Sequence, residues 1–119
     1  MTADELEKRL KDYALRSIRV AASLKHDMVS QLLGRQFLKA STSSGANYRE
    51  AQRGTSRADF LAKVKIAERE CDESCYWLEL MIAAGILEER LVADLLKEGK
   101  ELTAILGAIA VSTKRSTVS

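Results

Sequence analysis

The sequence predicts an all-α protein folded as an antiparallel, up-down-up-down four-helix bundle. Three observations carry that prediction. Its 119 residues include no proline, and Ala, Leu, Glu, Lys and Arg, which lose least on entering a helix, are plentiful. Apolar residues recur at three- and four-residue steps along four segments, the spacing of a single helix face. Cap signals separate these segments by short connections, which place each helix antiparallel to the one before it.

Thr2 and Glu5 form a capping box for a first helix over about 3 to 25, with Leu6, Leu10, Tyr13, Ser17, Ala21 and Leu24 as its seam. Asp27 caps a second helix running to about Arg53 through Val29, Leu33, Phe37, Ala40, Ser44, Tyr48 and Ala51. The small polar run Ser41 to Asn47 resembles a linker by composition. The seam keeps its spacing through that run, however, so the helix is expected to continue, with small residues letting a neighbour approach.

Gly54 and Thr55 make the next turn, and Ser56 with Asp59 caps a third helix to about Ala84. Its inward residues are Phe60, Val64, Ala67, Cys71, Cys75, Leu78 and Ile82. Gly85 suits a left-handed C-cap. A fourth helix follows from about Glu88 to Ser112, with Leu91, Leu95, Leu102, Ile105 and Ile109 inward. The expected organisation is one domain over 1–112 and a frayed polar tail over 113–119.

Several function classes are disfavoured. No apolar run approaches the ~20 residues of a membrane span, and the acidic start Met1 to Glu5 lacks signal-peptide order, so a cytoplasmic protein is expected. His26 is the one histidine and no Glu-x-x-His occurs, which argues against diiron and zinc sites. Cys71 and Cys75 read as buried thiols in a reducing compartment. No phosphate-cradling glycine loop is present. No catalytic residue, metal or cofactor is expected, and the protein is not expected to be an enzyme.

Charge is unevenly spread. Residues 1–57 carry eleven Lys/Arg against six Asp/Glu, while residues 58–119 carry eight against eleven. On a helical wheel Arg35, Lys39, Arg49 and Arg53 fall in one arc opposite Leu33, Phe37 and Ala51. The first helix adds Lys8, Arg9, Arg16 and Arg19, diluted by Glu5 and Asp12. Arg16, Arg19, Arg35, Lys39, Arg49 and Arg53 are therefore the candidate nucleic-acid contacts. The plainer reading is a solvated face, and a net charge of +2 and a pI of 8.6 count against strong nonspecific binding.

On the third helix Ile66, Glu73, Trp77, Leu80 and Ala84 form a second stripe away from the seam. Val92, Leu96 and Ala110 similarly broaden the apolar arc of the fourth. A stripe holding the sole tryptophan marks Ile66, Trp77 and Leu80 as a candidate oligomer interface. Asn47, Arg49, Glu50, Arg57, Asp59, Glu70 and Glu73 read as a structural polar network, with Glu70 and Glu73 available to Arg49 or Arg53 within a subunit or across a ring.

Three blocks carry a family resemblance: Gly34-Arg-Gln-Phe-Leu-Lys-Ala-Ser-Thr-Ser-Ser-Gly-Ala-Asn-Tyr-Arg-Glu-Ala51, then Ser56-Arg-Ala-Asp-Phe-Leu61, then Tyr76-Trp-Leu-Glu-Leu80. In order and content they resemble the four-helix-bundle proteins encoded in intervening sequences of bacterial large-subunit ribosomal RNA genes. The resemblance spans roughly residues 28 to 110. It implies a homo-oligomer, a pentameric ring, with an RNA association. That fold is also similar to the accessory proteins of diversity-generating retroelements, which partner a reverse transcriptase and bind nucleic acid. The resulting expectation is a non-enzymatic module partnering RNA or a nucleic-acid-handling protein. The alternative is a ring-shaped protein-interaction scaffold that binds no nucleic acid.

Overall fold

The computed structural model describes residues 1–118, with side chains described through residue 115. Four helices follow one another: α1 (Ala3–Ala22), α2 (Met28–Gln52), α3 (Arg57–Ala83) and α4 (Glu89–Val118). Each packs on its sequence neighbours, and α4 closes back on α1, giving a rod of 50 × 22 × 21 Å. The α2–α3 contact is the most extensive and the α1–α4 contact the sparsest.

Local chemistry sets the helix ends. Thr2 Oγ1 accepts the Glu5 N–H at 3.1 Å, Asp27 Oδ1 the Ser30 N–H at 2.9 Å, and Ser56 Oγ the Asp59 N–H at 3.0 Å. These three caps were legible in the sequence. Gly85 adopts a left-handed φ of 75°. Its N–H donates to the Ile82 carbonyl at 3.0 Å and that of Ile86 to the Met81 carbonyl at 2.9 Å, a Schellman motif closing α3.

Two ends differ from expectation. α1 stops at Ala22 instead of 25, because Ser23 and Leu24 turn back onto the Val20 and Ala21 carbonyls. α4 continues to Val118, past Ser112. The expected frayed tail 113–119 falls partly outside the described residues; its backbone over 113–118 is helical.

α2 runs unbroken through Ser41 to Asn47. Its hydroxyls bond backwards onto the helix: Thr42 donates to the Leu38 carbonyl at 2.7 Å and Ser44 to that of Ser41 at 3.0 Å. Satisfied this way, Ser41 and Ser44 sit fully buried, and Gly45 lies against Leu10 of α1. The small-residue run is a helix-contact surface.

The core contains Leu6, Leu10, Tyr13, Phe37, Val64, Cys71, Leu78, Met81, Leu102 and Leu106, all nearly inaccessible. Three seams match the sequence reading closely, but Val29 is half exposed where it was expected inside. α4 is rotated from its expected setting. Leu91 is 67% exposed, Ile105 and Ile109 are half-buried, and Leu106 takes the centre. Val92 and Ala110, read as part of a second stripe, are buried within the monomer's own core.

Candidate nucleic-acid interface

The candidate cations divide between two flanks of α1. On one flank, α1 and α2 border a groove of about 700 Å³ lined by Asp4, Glu7, Lys8, Lys11, Arg49 and Arg53 above a floor of Leu10, Ala14, Gly45 and Ala46. Farther along the same α1–α2 seam, Arg35 borders a second, apolar cleft. Lys39 is exposed one turn beyond Arg35.

Arg16 does not join them. It follows Arg9 by two helical turns and shares its flank, and Arg9 faces α4, bonding Glu98 with Nε at 3.0 Å and Nη2 at 2.6 Å. Glu101 also reaches Arg9 at 3.1 Å. These carboxylates raise the guanidinium further above its ordinary pKa, Glu98 foremost. Arg19 is exposed on the outer surface between the two flanks.

Glu7 is the residue that sequence reasoning missed. Its carboxylate lies 3.9 Å from Arg49 and 4.0 Å from Arg53, and both cations are about two-thirds exposed. Pairs this exposed contribute little to stability and exchange readily for other anions. The signal was available, because Glu7 stands on the groove-facing side of α1, but placing it needed the α1–α2 register. The expected pairing of Glu70 or Glu73 with these arginines is not made within the subunit. Glu70 instead accepts from the Ser43 hydroxyl at 3.1 Å, Glu50 binds Lys63 at 2.8 Å, and the Asn47 amide donates to the Ser43 carbonyl.

Of the candidate interface residues, Ile66 and Trp77 share the flank of α3 from which Lys63 and Glu70 reach α2. Ile66, Trp77 and Leu80 are each half-buried, and Trp77 packs against the core cluster. Its Nε1 is buried without an acceptor among the described residues. Tyr76, 56% exposed, meets the Trp77 ring edge-on at 5.2 Å between centroids.

Inside the bundle, a polar cluster joins three helices. The Tyr13 hydroxyl meets Ser74 Oγ at 2.7 Å, and Cys71 Sγ donates to the Gly99 carbonyl at 3.4 Å, which also accepts from Thr103. Burial pushes the Cys71 thiol up to about 12 and raises Cys75 as well. A thiol held protonated is a poor nucleophile and a poor metal ligand, so these groups serve packing. No group of three or more His, Cys, Asp or Glu poised to hold a metal occurs among the described residues, and none of the described helices is long and apolar enough to cross a membrane.

Residues 5–108 match the family model of the 23S rRNA-intervening sequence proteins. A crystal structure of a protein of unknown function from the S23 ribosomal protein family of Bacteroides thetaiotaomicron superposes with a TM-score of 0.85. It shares 30% identity, and the alignment covers 92% of this chain and 98% of that one. No curated protein matches.

Proposed function

The chain belongs to the 23S rRNA-intervening sequence protein family, and from that premise we propose that it is a non-enzymatic, oligomeric four-helix bundle that binds RNA. The observation carrying this reading is the α1–α2 groove, where Lys8, Lys11, Arg49 and Arg53 face one channel with Asp4 and Glu7 as the acids lining it among the described residues. RNA phosphates would take over the two weak contacts that Glu7 makes, and the released carboxylate returns to water. Arg35 and Lys39 extend the cationic edge along rigid α2, so the charges are held without ordering a loop. Binding of this kind follows the phosphate backbone and weakens steeply with salt.

Self-association through Ile66, Trp77 and Leu80, as a ring, belongs to the same proposal, since several copies would multiply a modest groove into an avid surface. Size-exclusion chromatography with light scattering tests both parts, run with and without a structured RNA at ~50 and ~200 mM salt. The proposal expects an oligomer that takes up RNA at low salt and releases it at high salt. An oligomer indifferent to RNA at both concentrations would refute the RNA half and favour a protein scaffold.

A further inference from the structure

The same face of the bundle changes chemistry toward the α1–α2 turn. There the seam opens into a cleft of about 260 Å³ lined by Ile18, Ala21, Ala22, Leu24, Gly34 and Leu38, with Gln31 and Arg35 at its edge. Ile18 is 45% exposed, and Leu15, one turn before it, 44%. Small residues keep the floor low. A Cβ at Gly34 would lie 2.5 Å from Leu24 Cδ1, so glycine is what lets Leu24 fill the bottom of the cleft.

The surroundings are cationic. Arg35 lines the cleft and Lys39 is exposed one turn farther along α2, while the sequence between Tyr13 and Tyr48 holds a single acid, Asp27. That acid is already engaged, accepting from both the N–H and the hydroxyl of Ser30.

We propose that this cleft, an apolar floor between Ile18 and Leu38 with Arg35 at its edge and Lys39 exposed one turn beyond, docks an acidic amphipathic helix of another protein. Phosphate has no use for exposed Leu15 and Ile18, which makes this end of the seam distinct from the charged groove at the other. A helix laid in a groove places apolar anchors at i, i+3, i+4 and i+7, and the carboxylates flanking that stripe would meet the cationic rim. Concavity favours a ridge-shaped partner, whereas a bilayer is met by a convex apolar face. Charge complementarity sets the partner's orientation and speeds its arrival.

The test uses the full chain and a panel of three synthetic acidic helices of about 18 residues, roughly 27 Å long, with leucine anchors in three registers. Fluorescence anisotropy would read saturable binding by the wild type. Ile18→Glu and Leu15→Glu, both at half-exposed positions, would each weaken it at least tenfold with helix content unchanged by circular dichroism. Peptides with lysine in place of glutamate would not bind. Four results overturn the proposal: no saturable binding to any of the three peptides, binding unchanged in both variants, loss of anionic-vesicle binding in Ile18→Glu, or a lower oligomeric mass in that variant. The third assigns the cleft to membrane and the fourth to a second copy. RNA affinity measured on the same variants keeps this test separate from the groove proposal, which does not involve Ile18 or Leu15.

Discussion

Tyr13 of α1 and Ser74 of α3 share a hydrogen bond of 2.7 Å across the diagonal of the bundle, between helices that are not packing neighbours. Ser74 Oγ gives its single proton to the Cys71 carbonyl, so Tyr13 is the donor in the pair. Both side chains are fully buried. The bond fixes the rotation of α1 relative to α3, a polar register pin across the diagonal of the core.

The two deletions of this bond are unequal. Tyr13→Phe leaves Ser74 still donating and should cost about 0.5–1.5 kcal/mol. Ser74→Ala strands the tyrosine hydroxyl in the interior and should cost about 1–3 kcal/mol. Urea unfolding of the two variants should therefore rank Ser74→Ala as the less stable; the reverse order would mean that the hydroxyl finds another acceptor.

Helix glycines are ordinarily improved by alanine, by about 1 kcal/mol. Gly99 should break that rule. A Cβ there would lie 2.7 Å from the Tyr13 hydroxyl and 2.8 Å from Cys75 Sγ, both held in the core. Gly99→Ala should destabilise by about 1–3 kcal/mol through overpacking. At Gly107 the new Cβ would meet only the end of the Glu68 side chain, which can swing away, so Gly107→Ala should stabilise. Thermal melts of the pair should shift in opposite directions.

Much of this was readable in advance, and the division has a physical basis. Caps at Thr2, Asp27, Ser56 and Gly85 depend on neighbours within a few residues, so sequence alone located them. The helical path through Ser41–Asn47 was legible because the seam kept its period. The rotation of α4 was not, since an apolar arc spanning Leu91, Val92, Ile105, Leu106 and Ala110 is wider than one seam and packing against α3 selects the face. Likewise the flank taken by Arg16, and the approach of Glu7 to Arg49 and Arg53, are set by α1's placement between α2 and α4.

Alkaline pH should loosen the core. Burial raises the Cys71 thiol from an ordinary 9.0 to about 12. The folded state therefore holds a proton that the unfolded chain releases sooner. Stability is full below about pH 9 and is lost as the pH climbs from there toward 12. Cys75 shifts in the same direction and adds to the loss. Urea midpoints between pH 8 and 10.5 should fall, and Cys71→Ala should fall less steeply than the wild type. Equal slopes would place the alkaline sensitivity elsewhere.

Severing Arg9 from α4 should free the first helix. Arg9→Met removes a bidentate, half-buried contact with Glu98 and should cost about 1–3 kcal/mol. Because α1 has sparse contact with α4, hydrogen exchange should rise over Ala3 to Ala22 more than over α3. Uniform protection loss would show global destabilisation instead.

The most direct test of RNA recognition is anisotropy of a labelled RNA hairpin titrated with wild type and with an Arg49→Glu, Arg53→Glu double variant, at several salt concentrations. Affinity should fall linearly in log–log form with salt, and the double variant should bind at least tenfold more weakly, with a shallower slope and an unchanged helical spectrum. Equal affinity and slope in both proteins would contradict RNA recognition through the α1–α2 groove.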